Sequence, residues 1–327
     1  MSADLAERFP RRSPLQLLRN RAVLTLVAVA LVWVGASFAR PGFGAVGHLR
    51  YLLETGAVVG LVGIGQSFVV ISGGIDLSIA AIVTISAVAV PLVDFVFDKS
   101  GALATLIVLA AATFIGLVNG LGVAFLRVHP MIMTLAMATF LQGALILIAG
   151  GSAVSAHNEL VAWIGNARPA SIPFDVILWL GVSALALVVL HGTPFGARVY
   201  ALGANPLAAR LSGVGVEATT IAVYALSGFS CGLAGLVVLG MNGQGYVGIG
   251  DQYLLASIAA VVLGGTSILG GSGTYAGTMP GAILLVTITA LITVVNASPG
   301  WRNILFGSLI LGLLLLSGRE SRQRGTG

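Results

Sequence analysis

The chain has 327 residues, 57% of them hydrophobic and only 8% charged, with a mean hydropathy of +1.03. Soluble domains carry about 25% charged residues, so this composition excludes a water-borne fold and places the chain in lipid. A formal net charge of +5 does not indicate nucleic acid, because the arginines sit at the ends of apolar runs and not in one solvated patch.

Residues 1–21 hold Arg8, Arg11, Arg12, Arg19 and Arg21 ahead of an apolar run from Ala22 to Ala39. That run is longer than the ~7 to 15 residues of a secretory signal core, so it is expected to remain as a first span behind a cytoplasmic tail. A ruler of about 20 apolar residues per crossing gives about ten transmembrane helices in an all-α integral membrane fold. The candidates lie near 22–39, 52–71, 78–97, 102–126, 131–150, 173–191, 218–239, 253–269, 275–295 and 303–317. An even number of spans leaves both termini on one side. Termini in the cytoplasm put eleven arginines inside, from Arg8 to Arg324, against Arg40, Arg50, Lys99, Arg168 and Arg302 outside, which is the expected bias.

Two stretches break the apolar pattern in the same way. Ile71–Val83 reads ISGGIDLSIAAIV and Gly248–Val262 reads GIGDQYLLASIAAVV, each with glycine, aspartate and then Ser-Ile-Ala-Ala. They fall between spans two and three and between spans seven and eight, hence on opposite sides, so the chain is read as an inverted repeat of spans 2–5 and 7–10. The expected layout is one permease domain over 22–317. It holds repeat one at about 51–150, a linker at about 151–217 and repeat two at about 218–317, with a cytoplasmic tail at 318–327. Broken, polar-centred segments at matching places in two halves point to a transport pathway. Asp76 and Asp251 are open to two readings, a helix N-terminal cap stabilised by the dipole or a direct contact with cargo. Glu54, Gln66, Ser67, Asn119, Thr139 and Gln142 are further polar candidates, each equally able to satisfy a neighbouring helix.

Several chemistries are excluded by residue type. Lys99, the only lysine, has no glycine-rich loop before it, so the chain has no phosphate-binding loop and is not expected to hydrolyse ATP. His48, His129, His157 and His191 show no metal-ligand spacing, and no cofactor or catalytic set is expected. Cys231, alone in an apolar run, reads as packing. Gly150–Ile172 forms a long outer loop with Trp163, Asn166 and Arg168 available to an external partner. The inner loop from Gly192 to Glu217 carries Asn205 and Pro206, an N-cap and a first helical residue. Leu207–Ser212 follows as a short helix, and Gly213 as its end. Leu207, Ala208 and Leu211 give that helix an apolar face beside Arg210, read either as a knob for a groove on another protein or as an ordinary loop.

The loop ALGANPLAARLSGV, the segment GGIDLSIAA, the run from Gly116 to Gly151 and the run from Tyr253 to Gly273 together resemble one family. It is the permease subunit of bacterial ATP-binding-cassette sugar importers of the ribose, xylose and galactose type. The similarity extends over about residues 50–317, with the four motifs in order. It implies import of a monosaccharide, pentose or hexose, through the bacterial inner membrane. The implied partners are cytoplasmic ATPase subunits, a periplasmic or extracellular sugar-binding protein and a second permease copy or paralogue. By position, Gly203, Asn205, Ala208, Ala209, Arg210 and Gly213 match the loop that couples to the ATPase. Gly73, Gly74, Asp76 and Ser78 match the first glycine-aspartate motif, Asn119 and Gly120 the asparagine-glycine pair, and Gly264, Gly265, Gly270 and Gly271 the late glycine pairs. Gly73, Gly74, Asp76, Ser78, Asn119, Gln142 and Asp251 form the expected pathway set. The chain departs from the pattern at His129, Pro130 and Met131, where many relatives have Pro-Pro-Phe, and at Gln142 and Gly143, where they often have Arg-Gly. Three alternatives stand beside this reading: an ion-coupled secondary transporter, an ATP-binding-cassette permease for branched-chain amino acids, and a structural membrane subunit without a pathway.

Overall fold

The computed structural model describes residues 21–40, 42–96, 101–155, 158–294 and 298–324. The basic tail up to residue 20, Lys99 and His157 lie outside the described residues. The elements in chain order are α1 (Arg21–Ala39), α2 (Val46–Ile71), α3 (Ile79–Val96), α4 (Gly101–Ala124), α5 (Pro130–Ala149), β1 (Val154–Ser155), α6 (Glu159–Asn166), α7 (Phe174–Gly192), α8 (Pro194–Ala204), α9 (Pro206–Leu211), α10 (Val216–Asn242), β2 (Gln244–Gly245), α11 (Asp251–Leu263), α12 (Tyr275–Val294) and α13 (Pro299–Arg324). Local chemistry sets many of the ends. Proline opens α5, α8 and α9, where the missing N–H would have had no helical partner. Gly150 (φ 60°) and Gly243 (φ 69°) close α5 and α10 in the left-handed region.

Among the described residues, eight helices are long and apolar enough to cross a membrane: α1 to α5, α7, α10 and α12. With 26 residues, α13 has the length as well. The span expected at 253–269 is corrected: α11 has only 13 residues, about 20 Å, against a hydrocarbon core of about 30 Å. It is a half-span, reached through the non-helical stretch after β2, and residues 264–274 form a glycine-rich loop instead of a helix end. Whether Leu52–Ser78 crosses or re-enters is settled by α2, which is a full-length helix, while residues 72–78 turn back toward the bundle.

The repeat organises the packing. In one half α2 lies against α11 and α12 of the other, and α10 lies in the same way against α3 and α4. Within each half the contacts match again, α3 with α4 and α5 as α11 with α12 and α13. The central helices are α2 and α10, whose most apolar windows are 89% and 67% buried, whereas that of α5 is 22% buried. Small residues permit this closeness: Gly116 of α4 and Gly228 of α10 face each other, and a Cβ on either would overlap a carbonyl of the opposite helix. One detail of the sequence pattern is corrected. Ser78 stands immediately before α3, but Ser257 lies in the seventh position of α11, so the two Ser-Ile-Ala-Ala strings do not occupy matching places.

At one end of the bundle, α8 and α9 form a corner between α7 and α10. At the other end β1 pairs antiparallel with β2, Val154 opposite Gly245, and α6 rests on α10, where Asn166 Nδ2 donates to the Gly240 carbonyl at 2.8 Å. Arg168 pairs with Glu54 of α2 at 3.2 Å, which accounts for that intramembrane carboxylate as a tether of the long loop.

Candidate functional site

The loop motif folds into the α8–α9 corner. Asn205 turns the chain between the two helices, and its Oδ1 accepts from Leu207 N and Ala208 N, both at 3.0 Å. Ala209 is buried, so α9 is anchored on one side. Leu207, Ala208 and Leu211 stand on the other, with Leu207 68% and Leu211 81% exposed. Arg210 bonds to Glu217 in the first turn of α10, and Gly213 (φ +81°) ends the motif. The helix α8 was not expected, although Thr193-Pro194 is its signature: the Thr193 hydroxyl accepts from Gly196 N at 3.4 Å ahead of a proline at the first helical position. Replacing Asn205 with Ala should cost the corner about 1 kcal/mol, the usual worth of such a cap. Faster amide hydrogen exchange at Leu207 and Ala208 is the readout; unchanged exchange would show that α9 is held by packing alone.

The corner touches both halves of the repeat through glycine. Gly203 lies so close to the end of α2 that a Cβ there would overlap the Ile71 carbonyl oxygen and stand 2.6 Å from Gly271 N. Gly271 N in turn donates to that Ile71 carbonyl at 2.9 Å. A Cβ on Gly270 would meet Gly73 Cα at 2.8 Å and the Gly203 carbonyl at 2.9 Å. Tyr200 of α8 adds a donor to the Gly273 carbonyl at 2.7 Å, and burial holds its phenol above the ordinary range, so it remains protonated at neutral pH. Gly270 and Gly271 of the late glycines and Gly73 of the first pair, nearly 200 positions apart in sequence, therefore meet at one backbone junction under the α8–α9 corner. Gly264 instead packs on Gly277 in the α11–α12 seam.

Beyond that junction the chain turns back through a buried polar knot. Asp76 Oδ1 accepts from Ser78 N at 2.9 Å and from the Ser78 hydroxyl at 2.6 Å; Asp76 Oδ2 accepts from the Ser227 hydroxyl of α10 at 2.7 Å. Asn119 Nδ2 of α4 donates to Ser78 Oγ at 2.9 Å, and Leu77 N donates to Thr134 Oγ1 of α5 at 3.0 Å. Asp76, Ser78, Asn119 and Ser227 are all fully buried. Tyr224 closes over Gly74, leaving no room for a Cβ there. Of the two readings open for Asp76, the geometry favours the structural one: its carboxylate fastens the turn before α3 to α10, while Ser78 and Leu77 of the same turn bond to α4 and α5. Ser227, Tyr224 and Thr134 were missed in the sequence, where a single hydroxyl within an apolar span carries no distinguishing signal.

The other expected pathway residues lie elsewhere. Asp251 is the exposed first residue of α11, and the preceding Gly250 N donates to Thr84 Oγ1 of α3 at 3.0 Å, so the starts of the two broken helices meet inside the bundle. Gln142 is exposed on α5, two turns along from the knot's Thr134 and at the edge of the buried stripe of Thr134, Ala138, Leu141 and Leu145. Ser67 shares a hydrogen bond with Thr278 at 2.9 Å and Thr139 donates to the Leu135 carbonyl at 3.0 Å, so both hydroxyls are engaged within the protein. Both amide atoms of Gln66 are buried with no protein partner among the described residues. A cleft of about 380 Å³ opens between α2, α11, α12 and α13, the side of the bundle away from the corner.

Comparison with known proteins agrees with this architecture. The ribose import permease protein RbsC of Escherichia coli K12 is 33% identical over 90% of this chain and 93% of its own length. The fructose import permease protein FrcC of Rhizobium meliloti is 31% identical, over 88% of this chain and 81% of its own. The galactose/methyl galactoside import permease protein MglC of Escherichia coli K12 is 31% identical, over 88% and 90%. No solved structure matches the chain. The model of the family described as branched-chain amino acid transport system / permease component matches residues 49–314, from the second span through the last, and with these relatives it establishes that the chain is a multi-pass membrane permease of that family.

Proposed function

We propose that this chain is the membrane subunit of an ATP-binding-cassette importer for a monosaccharide, with separate ATPase subunits on the side of the α8–α9 corner. The observation that carries the reading is that corner: a short helix with an exposed apolar face, joined to α8, which packs on a glycine junction shared by both repeats. A push on α9 reaches the end of α2 and the start of α12 together, which is what an external motor needs. The arginine bias puts this face in the cytoplasm with both termini, and the opposite β1–β2 and α6 face toward the sugar-binding protein. Sugar is favoured over branched-chain amino acids because the full-length relatives above are named for ribose, fructose and galactose. The open face of α5 supports a second permease copy, since Gln142 on a lipid-facing surface would leave an amide without partners in hydrocarbon.

The test is co-purification from the native membrane in mild detergent. The parent chain should bring down an ATPase, and Leu211→Asp, which touches only the exposed face, should deplete it at least about tenfold. Arg210→Glu should also deplete it, and the swapped pair Arg210→Glu with Glu217→Arg should restore the corner and part of the yield. Recovery of the chain alone, combined with solute accumulation driven by an ion gradient in vesicles, would replace this reading with a secondary transporter.

A further inference from the structure

The cleft between α2, α11, α12 and α13 is the repeat-related counterpart of the Asp76 knot. Each lies where the start of a broken helix meets the opposite half's central helix and the next two helices of its own half. In the first half the site is filled. Counting back from the first residue of α3, positions three and one are Asp76 and Ser78; counting back from α11 they are Gly248 and Gly250. The second half thus has no counterpart of the Asp76–Ser78 pair, and the cleft between its helices has a volume of about 380 Å³, at the small end of the ~300 to 1,000 Å³ of ligand pockets.

The lining selects a chemistry. Tyr51, Tyr253 and Phe306 offer aromatic surface, while Gln252, Thr289 and Arg302 offer hydrogen-bonding groups. Arg302 Nη1 reaches Gln252 Oε1 at 3.4 Å, but its Nε is buried without a protein partner among the described residues, as is Nε2 of His48 on the α2 wall. A purely apolar occupant would leave those nitrogens unmatched, at about 1 to 3 kcal/mol each. An amino acid would bring an ammonium group, and among the described residues no Asp or Glu lines the cleft to receive it. A neutral ring bearing several hydroxyls meets both demands, because each hydroxyl donates and accepts and the C–H face stacks on tyrosine.

We propose that this cleft is a binding site for a neutral, monosaccharide-sized polyol, with Arg302 and Gln252 holding its hydroxyls against Tyr51 and Tyr253. The proposal rests on the sugar-import reading and adds to it a site within a single permease chain, at the end remote from the ATPase.

The test is saturation-transfer NMR on the full chain in lipid nanodiscs, without partners, using ribose, fructose, galactose and leucine as probes. At least one sugar should receive saturation and leucine should not. Arg302→Gln should weaken the sugar signal at least about tenfold in apparent affinity, the loss expected on removing one charged donor. Ala256→Phe should abolish the signal by filling the cleft, and if that variant does not fold, Arg302→Gln decides. Saturation of leucine in place of sugar, or a sugar signal unchanged by Arg302→Gln, overturns the site. Absence of any sugar signal while an ATPase still co-purifies also overturns it and leaves the importer reading intact; absence of both removes the importer reading too.

Discussion

Substituting Gly203 by Ala should uncouple transport from ATP hydrolysis: in proteoliposomes holding the whole importer, sugar uptake should fall at least tenfold while the ATPase remains bound and active. The added methyl has nowhere to go. It would overlap the Ile71 carbonyl oxygen and sit 2.6 Å from Gly271 N, and those two atoms are themselves bonded at 2.9 Å. Backbone held on both sides cannot give as a flexible side chain can, so α8 must withdraw by roughly 1 Å to restore normal carbon contacts. Withdrawal opens the junction without altering the exposed Leu207 and Leu211 face, which predicts docking without transmission. Gly215→Ala is the control, because its Cβ would find its nearest neighbour at 3.9 Å. Equal uptake by the Gly203→Ala and Gly215→Ala proteins would sink the junction as the transmitting element.

The second large effect is expected at the knot, and it separates two roles for one carboxylate. Asp76→Leu removes the acceptor for Ser78 N, Ser78 Oγ and Ser227 Oγ at a fully buried position. At about 1 to 3 kcal/mol for each stranded donor, the loss should lower the thermal midpoint and the yield of folded protein sharply. Asp76→Asn keeps an oxygen toward Ser78 and turns an amide toward Ser227, so it should lie between parent and Asp76→Leu in stability and retain most of the uptake. An ion-coupled carrier needs the charge itself. Complete loss of uptake in a stably folded Asp76→Asn protein would favour that mechanism over the structural fastener described here.

Much of the fold was legible in the sequence because lipid simplifies the code. Apolar length alone located the spans, and Asn205-Pro206 set the start of α9 to the residue. The repeat was legible only in outline. Ser-Ile-Ala-Ala recurs, but at the start of one helix and in the middle of another, since the packing conserves positions of helix starts and central helices, not the string. The half-span α11 was overrun for a related reason: Leu263 is followed by glycines that hydropathy scores as neutral but that end the helix. At the site, the residues of the α8–α9 corner were readable as a contiguous motif. The knot was half readable, because Asp76 and Asn119 stand out in apolar surroundings whereas Ser227 and Thr134 do not. The cleft was not readable at all: its walls come from four helices spread over more than 250 positions, with no contiguous motif among them.

The ion pair between Arg210 and Glu217 bears on how far a small displacement travels. Glu217 belongs to the first turn of α10, so whatever moves α9 also takes hold of one end of a helix of 27 residues, a rod about 40 Å long. Its other end is not free either: Gly240 is pressed against Gly165, and β2 follows at once. A rod gripped at both tips works as a lever. Pivoting by about 5° around the crowded crossing at Gly116 and Gly228, it would swing its two tips apart from their resting line by about 3.5 Å in total. The ATPase side would thereby set the position of the opposite surface through one continuous helix, with no relay of separate contacts between them.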